Sequence, residues 1–276
     1  MFTRWSDWMK ELDLNEIKKT EIDLLKRLKV YCEENNLKYY LSNGTLLGAV
    51  KYKGFIPWDD DIDVIMPRAD YEYFVKTFPS DEAVKLLHEK TCKNYIFPFA
   101  KLSDTSTTIE NQTALKGYEY GVHIDIFPLD FWNSNINKAK EDAVVINKIC
   151  QELCFSISRF CKGRSLICTC VKNLIIAYTR IWGWQHYHRK LRDAIEERKG
   201  KDDDACCGCL VWPVYGIREI FPREVFSESD SVEFEGMAYP APIGYDAYLR
   251  SLYGDYEKDP PLEKQRSHHR FRAYKK

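Results

Sequence analysis

The chain has 276 residues, 41 Lys and Arg against 42 Asp and Glu, and a formal net charge of −1. Its 45% hydrophobic and 30% charged residues suffice for one large domain or two small ones with a substantial core. A charge near zero excludes the global basic field that holds nucleic acid, so no nucleic-acid partner is expected.

The opening segment, "MFTRWSDWMK", lacks the apolar run of a signal peptide. The expectation is a cytoplasmic protein whose ten cysteines stay reduced. Residues 13–35 predict an amphipathic helix, with Leu14, Ile17, Leu24, Leu28 and Tyr31 at helical spacing and Asp13 and Glu16 as a capping box. "KYYLSNGTLLGAV" reads as a short strand, a polar turn and a second apolar stretch. Gly44 and Gly48 flank Thr45, so the backbone can approach a ligand closely, and a helix beginning at Thr45 would favour an anion at its N-terminus.

"GFIPWDDDIDVIMPR", residues 54–68, places Asp59, Asp60, Asp61 and Asp63 within five residues. "DIDVIM" predicts a strand closed by Pro67, and "RADYEYFVKTF" a helix. Residues 95–101 and 107–110 predict strands, and "GVHIDIFPLD" a strand from after Gly121 to Pro128. Residues 138–199 predict helix with a polar break at 161–165. The most apolar part, 165–184, is interrupted by Lys172 and Arg180 and is too charged to span a membrane. It reads as a core helix, with a basic, aromatic-rich helix resting on a membrane surface as the alternative. "KGKDDDACCG" reads as a loop, and the spacing of Cys206, Cys207 and Cys209 does not make a zinc motif. The pattern is α+β: one domain over 1–276 with a mainly helical insertion at about 138–200.

Along a strand, side chains alternate faces, so Asp61 and Asp63 share one face and Ile62 and Val64 the other. "HIDIF" repeats the arrangement with Asp125 alone. Three carboxylates about 5 Å apart repel by roughly 3 kcal/mol per pair at an effective dielectric of about 20. A divalent cation removes that penalty, and hard oxygen ligands favour Mg²⁺ or Mn²⁺. Asp61, Asp63 and Asp125 are therefore candidate metal ligands. Strand-end capping is the alternative, and it suits Asp59 and Asp60 better. Two acids on one strand, a third on another and an upstream Gly-Thr turn form a layout for phosphoryl transfer.

"LSNGTLLGAVKYKGFIPWDDDIDVIMPRADYEYF" (41–74), "GVHIDIFPLD" and "YGDYEKDPPLEKQRSHH" resemble the signature blocks of the LicD family and together span residues 41–269. The resemblance implies a nucleotidyltransferase-like fold, a mixed sheet flanked by helices. It implies transfer of a phosphorylated alcohol, most simply phosphocholine from CDP-choline, to a glycan hydroxyl of the teichoic-acid or lipopolysaccharide type. Relatives such as fukutin-related protein use CDP-ribitol instead; their zinc-binding cysteine module is not recognisable here. The resemblance puts Asp61, Asp63 and Asp125 at the metal acids and Gly44 and Thr45 at the phosphate turn. It raises Arg266, His268 and His269 to substrate contacts. This chain has "SNGT" where many members carry two glycines, and "KYKGF" where members often carry Arg-His.

The mechanism expected is an in-line displacement in which Asp125 takes the proton of the acceptor hydroxyl. Lys53, with Lys51, is a candidate phosphate contact. A choline headgroup calls for aromatic faces, and Trp58 and Tyr253 are the candidates, ahead of Tyr118, Tyr120 and Tyr256. The expected partners are a CDP-linked alcohol donor and a glycan or lipid-linked glycan acceptor. The latter would place the enzyme at the inner membrane face as a peripheral protein. The rivals are a metal-dependent glycosyltransferase using a nucleotide-sugar, and a non-catalytic glycan- or choline-binding module.

Overall fold

The computed structural model describes residues 9–111, 120–201, 204–265 and 271–276. Strand β1 (Lys10–Glu11) leads into helix α1 (Leu14–Glu34). The predicted capping box is present: Glu16 N–H donates to the Asp13 side chain, and Asp13 N–H donates to the Glu16 side chain. That satisfies two of the donors a helix start leaves open. The helix buries Ile17, Leu24, Leu25, Leu28 and Cys32, while Leu14 is exposed. One acid, Glu21, lies buried in the same stripe.

Strand β2 (Tyr40–Leu41) runs into α2 (Asn43–Tyr52), which starts two residues before Thr45. Then follow β3 (Asp63–Pro67), α3 (Arg68–Thr77), β4 (Val84–Leu87), β5 (Ala100–Asp104), β6 (Thr107–Asn111) and β7 (His123–Trp132). The central sheet has the order β2-β3-β7-β5-β4. Strands β3 and β7 are parallel; the other pairs along this order are antiparallel. The mixed sheet with flanking helices agrees with the α+β expectation.

The β4 strand is not legible in the sequence, and β5 starts later than residue 95. Strand β7 runs past Pro128 to Trp132. The reason is local. The ladder with β5 ends at Ile126, and the next neighbour on that side, β8 (Cys206–Gly208), begins at Asp130. Pro128 sits in the gap, where its missing N–H breaks no ladder bond. A bidentate pair, Arg68 Nε to Asp130 Oδ1 at 2.7 Å and Nη2 to Oδ2 at 2.6 Å, ties the start of α3 to β7.

The insertion is three helices, α4 (Ile136–Ile157), α5 (Leu166–Trp182) and α6 (Trp184–Arg198). Gly183, at φ +73°, separates the last two, a break the periodicity does not reveal. Ile146, Leu153, Tyr187 and Leu191 close over Trp132, Leu210 and Ile220 in a second core cluster. Helix α5 contributes little: it buries Ile176 and Thr179, and Leu166, Ile167, Leu174 and Ile181 are exposed. The core-helix reading of 165–184 is thereby corrected, because α4 and α6 already cover this side of the sheet.

After β8 come the short β9 (Phe221–Pro222), the hairpin of β10 (Ser229–Phe234) and β11 (Met237–Pro242), α7 (Tyr245–Tyr253) and β12 (Phe271–Lys275). Strand β12 pairs between β1 and β6 in a separate three-stranded sheet. Glu235 and Gly236 make the hairpin turn with positive φ, and the Glu235 carboxylate accepts from Phe55 N–H at 3.1 Å. Cys206 packs in the helical cluster, whereas Cys207 and Cys209 pack in the main core.

Gly48 is required by a close approach. A Cβ there would lie 2.4 Å from the Gly54 carbonyl and 3.0 Å from Ile56 N. Gly48→Ala is expected to cost about 1–3 kcal/mol by overpacking. That corresponds to a fall in Tm of roughly 2–4 °C per kcal/mol, read by calorimetry.

Candidate active site

The parallel pairing of β3 with β7 sets Asp63 directly opposite Asp125. Both residues are half-buried on one face of the sheet. Asp61 precedes them in the segment entering β3, whose Ile62 carbonyl accepts from Asp125 N–H at 2.9 Å. The crossing is thus held by backbone, and three acids meet at one end of the two central strands.

Helix α2 fixes the β3 end. Thr45 Oγ1 accepts from Asp63 N–H at 2.8 Å, and Asn43 Nδ2 donates to Asp63 Oδ2 at 3.1 Å. Asn43 sits at φ +47° and is held by α7: Tyr248 OH donates to its Oδ1 at 3.0 Å. A Cβ on Gly44 would lie 2.7 Å from Asp59 Oδ2, so the glycine lets that carboxylate rest against the first turn of α2.

Negative charge accumulates here. Burial pushes the Asp61 carboxyl well above the usual range, and Asp63, Asp59, Glu21 and Asp125 add to it. Glu21 is likewise pushed well up by burial and by Asp60, Asp125, Asp59 and Asp63. Its Oε2 has no hydrogen-bond partner among the described residues. Two lysines answer the acids. Lys101, 4% exposed, pairs with Asp125 Oδ1 at 2.5 Å, and its ammonium lies over the rings of Phe97, Phe99 and Tyr120. Lys18, on α1, lies over Phe55, and desolvation lowers its pKa against the pull of Asp59 and Glu21. His123 Nε2 is 3.6 Å from Asp125 Oδ1.

Among the described residues, no group of three or more His, Cys, Asp or Glu side chains is preassembled as a metal cage. Magnesium does not need one. It is commonly held by one or two carboxylates with substrate phosphates completing the shell. Asp61 and Asp63 fit that requirement in oxygen chemistry and in surplus charge, while Asp125 is already paired with Lys101.

One step along the same face, Ile65 lies opposite Phe127. These two floor a cavity that Asn43, Trp212, Glu219 and Tyr248 also line. Two residues of strand advance the face by about 7 Å. Burial pushes the Glu219 carboxyl up to about 8, and Tyr215 N–H donates to it at 2.5 Å.

Of the other sequence candidates, Lys53 ends α2 in the left-handed conformation at φ +59° and is exposed. Lys51 pairs with Asp259 at 2.5 Å. Trp58 is half-buried, edge-on to Tyr52. Tyr253 bonds Tyr215 through their hydroxyls at 3.1 Å, and neither Trp58 nor Tyr253 lines the cavity. Arg266, His268, His269 and Tyr118 lie outside the described residues.

Sequence reasoning missed Glu21, Asn43, Lys101, Glu219 and Tyr248. Glu21 had a signal, an acid at a buried position of the α1 stripe; Asn43 had one too, beside the quoted glycine.

The comparisons with known proteins agree along the chain. The family model "LicD/FKTN/FKRP, nucleotidyltransferase domain" matches residues 36–156. The chain is 32% identical over 276 aligned residues to the lipopolysaccharide cholinephosphotransferase LicD of Haemophilus influenzae, covering 96% of this chain and 99% of that one. Uncharacterised proteins of Rickettsia typhi and Rickettsia prowazekii match shorter stretches. They are 39% identical over 70 residues and 37% over 76, spanning 25% and 24% of this chain and 20% and 29% of theirs. At this identity, with both chains covered almost end to end by the Haemophilus match, the protein belongs to the LicD family.

Proposed function

We propose that this protein is a phosphotransferase that moves phosphocholine from CDP-choline to a hydroxyl of a cell-surface glycan precursor of the lipopolysaccharide or teichoic-acid type. The observation that carries the reading is the direct opposition of Asp63 and Asp125 at one end of the β3–β7 pair, with Asp61 beside them. Its support is the end-to-end similarity to a protein named as a lipopolysaccharide cholinephosphotransferase.

In the reaction, the acceptor oxygen bonds to the choline-bearing phosphorus, the anhydride P–O bond breaks, and CMP leaves. Asp61 and Asp63 would hold Mg²⁺ or Mn²⁺, which supplies charge neutralisation for the donor diphosphate when bound. Asp125 takes the hydroxyl proton, and Lys101 holds its carboxylate in place. Asn43 orients Asp63. Beyond the acids, Phe127, Trp212, Tyr248 and Glu219 line a small cavity of about 20 Å³, room for about one water, so it holds no choline headgroup as it stands.

Thermal shifts with CDP-choline, CDP-ribitol, CDP-ethanolamine and UDP-glucose, each with and without Mg²⁺, test the donor. A ligand at about a hundred times its Kd stabilises by about 2.7 kcal/mol. A Mg²⁺-dependent shift with CDP-choline is expected. A shift with UDP-glucose alone would replace this reading by the glycosyltransferase one.

Glu219 gives a pH prediction. Its folded-state pKa is raised to about 8, so the empty protein holds a proton there that the unfolded chain has lost above the ordinary carboxyl range. Stability from this group falls as pH rises towards 8. Tm is therefore expected to fall as pH rises from the ordinary carboxyl range to about 8, a dependence that Glu219→Gln weakens. Calorimetric unfolding across pH reads it.

A further inference from the structure

Helix α5 presents an apolar face that nothing among the described residues covers. Leu166 is 86% exposed, Ile167 77%, Leu174 69% and Ile181 79%. Val171, Tyr178 and Trp182 are also exposed, as is Phe160 in the segment leading into the helix. Residues 167, 171, 174, 178 and 181 recur at helical spacing, so they form one continuous stripe. The helix buries only Ile176 and Thr179 against the protein. An apolar patch of this extent on a folded chain marks an interaction surface.

The charge around it identifies the occupant. From residue 153 to residue 192 the sequence holds no Asp or Glu, yet it carries Arg159, Lys162, Arg164, Lys172, Arg180, Arg189, Lys190 and Arg192. All of these but Arg180 are exposed, and Lys190 is paired with Glu152 at 2.8 Å, which leaves Arg159, Lys162, Arg164 and Lys172 as the exposed basic residues on α5 and the connection into it. Arg159, Lys162 and Arg164 lie in the connection into the exposed N-terminal end of α5. Arg180 donates to the Ser158 carbonyl and stacks over Phe160, which holds that connection against the helix. A second copy of the chain would bring like charge to like charge. Among the described residues no helix is long and apolar enough to cross a membrane.

We propose that α5 is a membrane-docking helix that lies in the plane of an anionic bilayer surface, its 167–181 stripe among the acyl chains and the neighbouring basic residues against lipid phosphates. This placement is independent of the donor and acceptor reading.

Flotation with lipid vesicles tests it, using the full chain. The wild type should float with vesicles of phosphatidylcholine plus phosphatidylglycerol and bind phosphatidylcholine alone at least about tenfold more weakly. Leu174→Asp with Ile181→Asp should cut binding to the mixed vesicles about tenfold or more. Both residues are exposed, so thermal unfolding should be unchanged. Arg159→Glu with Arg164→Glu should weaken the mixed-vesicle binding only. Failure of the wild type to float, or equal flotation of the Leu174/Ile181 variant, would overturn the proposal. Dimerisation that the same apolar variant abolishes, without flotation, would assign the face to a second copy instead.

Discussion

Asp63→Asn is expected to abolish transfer, lowering the rate by about a thousandfold or more, while the protein stays folded. The side chain does two jobs that an amide does poorly. It supplies one of the two carboxylate oxygen ligands expected for the metal, whose contribution to the transition state is several kcal/mol. It also receives Asn43 Nδ2 at 3.1 Å, the bond that sets its direction. Because the carboxylates crowd one another, removing one charge relieves repulsion, so the variant should be as stable as the wild type or more so. The combination of lost activity and kept or raised Tm distinguishes a catalytic acid from a structural one. Asp61→Asn should behave likewise. Rate is measured as CMP release from CDP-choline, and Tm by calorimetry in the absence of metal.

Lys101→Met should act in the opposite way, costing both activity and stability. The ammonium is 4% exposed and boxed by Phe97, Phe99 and Tyr120, and its partner Asp125 is only half-buried. Removing the cation leaves Asp125 with only His123 near it, at 3.6 Å, on a sheet face already rich in acids. Breaking a buried pair costs about 3–5 kcal/mol, and the partial exposure of Asp125 moves the expectation to about the lower end. The double variant Lys101→Met with Asp125→Asn should recover much of the stability and none of the activity, a coupling that a double-mutant cycle measures.

The three acids were legible because strand alternation makes a same-face pair visible in Asp-Ile-Asp and repeats it in Ile-Asp-Ile. What alternation cannot supply is register. Which residue of β5 faces Asp125 depends on how β5 and β7 align, and Lys101 in "FAKLSD" looks like any other strand lysine until that alignment sets it opposite. Glu219 was hidden for another reason. It ends a short 3-10 segment, Gly216–Glu219, that has no periodicity to read. The helical part of 138–200 was legible as helix, but its faces were not. An amphipathic sequence shows that α5 has an apolar side; it does not show whether protein, lipid or a second chain meets it. The capping box of α1 and the closure of β3 at Pro67 were legible because both depend on neighbours within a few residues.

The proposed reaction is metal-dependent transfer of phosphocholine by Asp61, Asp63 and Asp125. The most direct measurement is CMP release and label transfer from choline-labelled CDP-choline to a lipopolysaccharide acceptor, with Mg²⁺ or with chelator, for wild type and Asp63→Asn. Labelled glycan and matching CMP are expected from the wild type with Mg²⁺, and neither with chelator or with the variant. Equal transfer by Asp63→Asn, or by the wild type under chelator, would contradict it.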